Sequence, residues 1–160
     1  METPILTDQD FMEHAESALV LRAIDEGLTD LPVTTSPLAI ALGARLLCAA
    51  DGKATLSFKV GDPFIQGNGV IQGGIISAML DFAMIFAAFS RIPPKSSLTT
   101  VSQTSNFFRP VLSGEVIAKA EIEKSGRTLI YAHAVLCDKE GMLLASATAP
   151  MAVIPLLTTR

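Results

Sequence analysis

From Gly74 to about Ser90 the chain reads GIISAMLDFAMIFAAFS, a helical pattern that is apolar on nearly every side. A surface helix keeps a polar stripe toward water, so a helix of this kind has to be surrounded by protein. Asp81 is its one charged residue. The apolar run from Ile75 to Phe89 is too short to cross a bilayer and carries that acid, so no membrane partner is expected. The fold must therefore wrap other elements around this helix.

The flanking segments read as strands. Leu38 to Ala49 is apolar and strand-length, and Ala50-Asp51-Gly52-Lys53 after it suits a tight hairpin turn. Ala54, Leu56, Phe58 and Val60 then alternate with Thr55, Ser57 and Lys59, as in a half-buried strand. Ile92-Pro93-Pro94 closes the helix. Four strands linked by turns follow, over 98–109, 116–123, 127–138 and 142–153, and they form an antiparallel meander. An α+β fold, with one antiparallel sheet curled around one long central helix, satisfies this order. Upstream, Thr7 and Asp10 can form a capping box for a helix that stops at Gly27. Its loose apolar face would be Phe11, Ala15, Ala18, Leu19 and Ala23. Residues 1–36 are accordingly an N-terminal helix and loop extension, and residues 37–160 the main domain.

Composition narrows the function classes. The chain has 160 residues, 49% of them hydrophobic, which suits one domain with a full core. The net charge is −4 and no basic run appears, so no nucleic-acid partner is expected. The N-terminal stretch has acids and no apolar core, so it reads as cytoplasmic rather than secreted. Cys48 and Cys137 read as reduced, buried thiols. No His/Cys cluster has metal-ligand spacing. His133 shares a strand face with Leu129, Tyr131 and Val135, so it reads as a core or interface histidine.

The chemistry concentrates in QGNGVIQGGIISAMLD, Gln66 to Asp81. A helix N-terminus presents unpaired N–H groups and partial positive charge. Gly73 and Gly74 lack Cβ, so a carbonyl can approach that backbone and have its oxyanion stabilised there. Taken alone, the pair also fits a loop–helix junction that needs glycine only for its dihedrals. Asp81 is harder to explain as structure. An ionised carboxylate in a dry helix is unfavourable unless paired or facing a wet cavity. Residues three and four away are Ser77, Ala78, Met84 and Ile85, none of them basic. Ser77 offers a purely structural hydrogen bond; otherwise Asp81 fits a general base or nucleophile. Gly73 and Asp81 are about 12 Å apart along the helix, too far to serve one carbonyl. If both act, Asp81 meets Gly73 of a second copy in a two-fold dimer with shared sites. Gln66 and Gln72 could bind a carbonyl or a water, or be plain loop polarity. Asn68 suits a turn, Thr100 could place a hydroxyl in the pocket, and Arg109 and Arg127 sit beside turns where a phosphate could be held.

These segments resemble a known family. GNGVIQGGIISAMLD, then NFFRP and SGEV, are similar to the hotdog-fold acyl-CoA thioesterases, nearest to the PaaI-type (phenylacetic acid degradation) branch. The resemblance spans roughly 38–155. In that family the loop reads Asn-x-x-Gly-x-x-His-Gly-Gly, with an acid nine positions after the histidine. Gln66 stands at the asparagine, Gly69, Gly73, Gly74 and Asp81 match, and Gln72 replaces the histidine. The resemblance implies Asp81 as base or nucleophile, the Gly73 N–H as oxyanion donor and Gln66 as aligner of thioester or water. Gln72, Gly74, Thr100, Asn68, Arg109 and Arg127 would contact substrate.

The implied reaction is hydrolysis of a medium-chain acyl or aryl-acyl CoA to free acid and CoA. It needs no metal and no cofactor beyond the coenzyme A carried by the substrate. The implied assembly is a homodimer, and a homotetramer as a dimer of dimers. The rival readings on the same fold are a non-catalytic acyl-CoA binder and a hydratase or dehydratase. The latter usually pairs His with an acid, and this helix has no His.

Overall fold

The computed structural model describes residues 14–155. The elements are α1 (Ala15–Asp25), β1 (Leu31–Pro32), α2 (Pro37–Ala41), β2 (Arg45–Ala50), β3 (Lys53–Val60), α3 (Gly73–Phe89), β4 (Ser96–Thr100), β5 (Thr104–Phe107), β6 (Gly114–Ser125), β7 (Leu129–Asp138) and β8 (Leu143–Pro155). All strand pairings are antiparallel, in the order β1-β2-β3-β6-β7-β8-β4, with β5 also on β8. The sheet curls around α3, which packs against β3, β6, β7 and β8. The hotdog architecture expected from the sequence is present.

Residue size explains why the helix sits where it does. The inner face of the central strands is largely alanine: Ala118 and Ala120 on β6, Ala132 and Ala134 on β7, Ala145, Ala147 and Ala149 on β8. A floor of small side chains lets a helix settle close. The helix supplies the bulk, with Ile76, Met79, Leu80, Met84 and Phe86 all buried. Large on one surface against small on the other fills the layer at native density. α1 covers part of the remaining helix surface. One stripe stays only half covered: Ser77, Ala78, Asp81, Phe82 and Ile85. The helix is therefore not enclosed on every side, and Asp81 lies on the open stripe.

Several expectations need correction. The segment 38–49 is not one strand. Pro37–Ala41 is a short helix, capped by Ser36, whose Oγ accepts from Ala39 N at 3.2 Å. Ser at the cap and Pro at the first position are its signals, and Gly43 at φ +58° ends it. Segment 98–109 splits into β4 and β5, and the expected four-strand meander holds only over β6, β7 and β8, because β6 pairs with β3 on its other edge while β4 and β5 pair with β8. Val101, Ser102 and Gln103 face only Ala149 and Pro150 across the break. Pro150 has no N–H to donate, so the ladder is interrupted there.

Cys48 is exposed rather than buried, and Cys137 is intermediate. The β2–β3 register slips at Leu47, between the pairs Leu46–Leu56 and Cys48–Thr55. One extra residue turns Cys48 to the outer face. His133 is not in the core: it is on the outer sheet face, 3.2 Å from Glu123 Oε1. On α1 the buried residues are Ser17, Val20 and Ala23, so of the expected face only Ala23 is buried. Phe11 and the Thr7–Asp10 capping box lie outside the described residues. The 50–53 turn is as expected, with Asp51 at φ +50° and Gly52 at +79°.

The packing makes a direct test available. Phe86 is fully buried in the helix–sheet layer. Phe86→Ala should lower unfolding stability by about 3–5 kcal/mol, read as a lower urea midpoint with an unchanged slope.

Candidate active site

Asp81 is on the third turn of α3, half-buried on the open stripe. Thr100, the last residue of β4, faces inward opposite Met151 and donates its hydroxyl to Asp81 Oδ1 at 2.7 Å. Oδ2 makes none of the hydrogen bonds found among the described residues. Burial pushes the Asp81 carboxyl above its ordinary value, and the Thr100 hydrogen bond opposes this in part. Ser77 does not bond Asp81: its hydroxyl pairs with Ser105 Oγ at 3.0 Å. Gln103 Nε2 donates to Ser77 O and to Ser105 Oγ, each at 3.0 Å.

These groups border a cavity of about 320 Å3 lined by Gly74, Ser77, Asp81, Thr100, Gln103 and Ser105. A second cavity of about 350 Å3 shares Asp81 and Thr100 and is flanked by Phe82, Ile85 and Leu98. The acid thus stands in the wall of both cavities.

The glycine end lies elsewhere. Gly73 opens α3, and its N–H is not engaged in any backbone hydrogen bond among the described residues. It lines a third cavity, about 380 Å3, with Gln66, Ile76, Phe107, Phe108 and Arg109. The Phe107 ring lies 3.5 Å from where a Cβ on Gly73 would stand. Phe107 and Phe108 are 52% and 54% exposed, an unusual state for two adjacent aromatics beside a helix N-terminus. Gln66 begins a turn closed by Gly69 N to Gln66 O at 2.9 Å, with Gly69 at φ +78°. Arg109 Nη1 donates to Leu143 O at 2.8 Å, which fixes it at that cavity.

The structure therefore collects the sequence candidates into two groups: Asp81, Thr100 and Gly74 in one, Gly73, Gln66 and Arg109 in the other. Gln72 is the cap residue of α3, but its side chain is exposed and makes no capping bond. Asn68 is exposed at the loop tip, where its N–H reaches Gln66 Oε1 at 3.4 Å. Arg127 is exposed in the β6–β7 turn and lines none of the three cavities. Sequence reasoning missed Gln103 and Ser105. On an unbroken strand, Ser102 and Thr104 would share Thr100's face. The extra residue opposite Pro150 reverses that parity and turns Gln103 and Ser105 inward. Pro150 was the available signal.

Among the described residues, no group of three or more His, Cys, Asp or Glu could hold a metal, and no helix is long and apolar enough to cross a membrane.

Residues 68–145 match the thioesterase superfamily model. Asp81, Gly73 and Thr100 lie inside that stretch, and Gln66 lies just ahead of it. A thioesterase family protein from Silicibacter pomeroyi shares the fold at a TM-score of 0.74 and 27% identity, over 85% of this chain and 98% of that one. A phenylacetic acid degradation-related protein of Ralstonia eutropha is similar at 0.72 and 26%, over 83% and 98%. A Streptococcus mutans protein solved with acetyl-CoA shares the fold at 0.65 and 18%, over 70% and 89%. Sequence match and architecture agree: residues 68–145 are similar to the thioesterase superfamily, and the hotdog fold is shared with proteins named as thioesterases.

Proposed function

We propose that the substrate is a medium-chain acyl or aryl-acyl CoA, hydrolysed to the free acid and CoA at two equivalent sites of a homodimer. The observation that carries this is Asp81: a carboxylate on the open stripe of an apolar helix, anchored through one oxygen and free at the other. The Streptococcus mutans relative binds acetyl-CoA, which supports a CoA ester, and the Ralstonia relative's link to phenylacetic acid supports an aryl group. The cavity beside Phe82, Ile85 and Leu98 is large enough for such a group.

In this reading, Asp81 Oδ2 takes a proton from water as the water attacks the thioester carbon, or attacks the carbon itself. The raised proton affinity of Asp81 favours the first, since a base whose pKa lies nearer the working pH accepts a proton more readily. The Gly73 N–H of the second copy holds the developing oxyanion. Collapse of the tetrahedral intermediate then expels the CoA thiolate. Gln66, beside Gly73, orients the thioester carbonyl. Its neighbour Arg109 already donates to Leu143 O and keeps other donors for a CoA phosphate.

Replacing Asp81 by Asn or Ala should lower kcat by about 10²–10⁴-fold, measured as thiol release across an acyl-CoA panel. Unchanged turnover would sink the role. Thr100→Val removes the hydrogen bond that lowers the Asp81 pKa, so the acid limb of the kcat/KM profile should move to higher pH.

The same shift has a stability consequence. Because the folded pKa is raised, the ionised carboxylate disfavours the folded state and the protonated one does not. The penalty is absent below the unfolded value near 3.8, grows as pH rises through it, and is complete above the folded pKa. Asp81→Asn should therefore melt higher than the native protein at neutral pH, with the gap closing toward pH 3.8.

Shared sites are testable by mixing. Gly73→Pro deletes one N–H at the first helical position, where proline is tolerated, and Gln72 at ψ 135° is compatible with a following proline. Asp81→Asn and Gly73→Pro should each be inactive alone. Co-refolded in equal amounts, they should recover about a quarter of native activity, because half the dimers are hybrids with one intact site. No recovery from proven hybrid dimers would place each site within one chain.

A further inference from the structure

The cavity beside Asp81 ends at α1. His14 and Glu16 line it with Phe82, Ile85 and Leu98, and no role in the reaction above uses them. Three contacts hold the pair. The His14 ring packs on Phe89 with centroids 4.8 Å apart. His14 Nδ1 lies 2.9 Å from Glu16 Oε2. Nδ1 is buried and forms no well-directed hydrogen bond, so this contact is a close approach rather than an aligned donor–acceptor pair. Thr35, from the loop before α2, donates to Glu16 Oε1 at 3.3 Å. The Glu16 side chain is 15% exposed and that of His14 33%.

Resting on the thioester reading above, we infer that the His14–Glu16 pair is the end wall of the acyl pocket and sets the longest acyl chain the enzyme accepts. The thioester carbon reacts at Asp81. From there the apolar flank of α3 leads past Phe82 to Ile85, one turn or about 6 Å on, and His14 rests on Phe89, two turns or about 12 Å on. Methylenes laid along Phe82, Ile85 and Leu98 gain burial. Methylenes pushed further meet an imidazole braced by Phe89 and a carboxylate braced by Thr35. They would strip water from both groups and return no hydrogen bond, which is strongly unfavourable. The chain-length limit is thus written in the N-terminal helix, outside the stretch that matches the family model.

The test is a ladder of non-hydrolysable acyl-CoA thioethers, from acetyl to dodecanoyl, titrated against native protein and variants. Native affinity should climb with chain length and then drop. His14→Gly removes the wall and keeps a residue tolerated at a helix cap, so the drop should move at least two methylenes longer, with about a tenfold gain for the first excluded chain. Glu16→Ala, which releases the imidazole from its anchor, should shift the drop the same way. His14→Gln restores bulk and should leave the drop where it is. A drop at the native position in both His14→Gly and Glu16→Ala, with melting temperatures unchanged, overturns the inference, as does a native ladder with no drop. The hydrolysable acyl-CoAs, run in parallel, keep the two readings separate. Absent thiol release would defeat the thioesterase reading, while the thioether ladder still reports on the wall.

Discussion

The close seating of α3 on a floor of alanines is the constraint on which the rest depends. Seven inward alanines on β6, β7 and β8 leave room for a helix carrying Met79, Leu80, Met84 and Phe86 on that side. This settles the rotation of the helix about its axis, because turning it would drive the bulky side chains out of the floor and open voids. Fixing the rotation also fixes what faces away from the floor. Ser77, Ala78, Asp81, Phe82 and Ile85 are left half covered as a direct consequence. The stripe that carries Asp81 is what remains when the core has taken the rest of the helix.

That geometry resolves the apparent conflict of an acid in an apolar segment. Asp81 is buried enough to raise its proton affinity, yet it faces cavities rather than packed side chains. The single hydrogen bond from Thr100 is worth roughly 1.5–3 kcal/mol for a charged acceptor. It holds the carboxylate in place without neutralising it. A lysine or arginine partner would have stabilised the charge more and made the group a poor base. Thr100 is in position because β4 ends at the break opposite Pro150, on the inward side.

The architecture was legible in the sequence because it rests on periodicity. The apolar helix, the Asp-Gly hairpin and the last three strands of the expected meander leave patterns of a few residues and are found where they were expected, whereas the first expected strand, 98–109, crosses over to pair with β8. What was not legible depends on parity. Two irregularities, at Leu47 in β2 and opposite Pro150 in β8, each add one residue and reverse which side chains face inward beyond them. They put Cys48 on the surface and brought Gln103 and Ser105 to the site. A periodic reading carries the wrong phase past any such step. Ser36-Pro37 was a helix start hidden inside an apolar run. His14 carried no local motif, and only folding sets it against Phe89.

Both halves of the proposed shared site lie on the same helix. Its N-terminus offers unpaired N–H groups in one place only, and its open stripe carries the acid two turns further on. One straight helix cannot fold these onto a single carbonyl, and the chain does not bend to try. Gly73 shares its cavity with Gln66 and Arg109, while Asp81 shares its cavities with Thr100. Phe107 and Phe108, half exposed beside Gly73, are the kind of apolar surface that a monomer seldom leaves open. Covering them with the stripe of a second, antiparallel α3 would remove that exposure and bring Asp81 to Gly73 in one movement. The proposed dimer would let a rigid helix use both its end and its side.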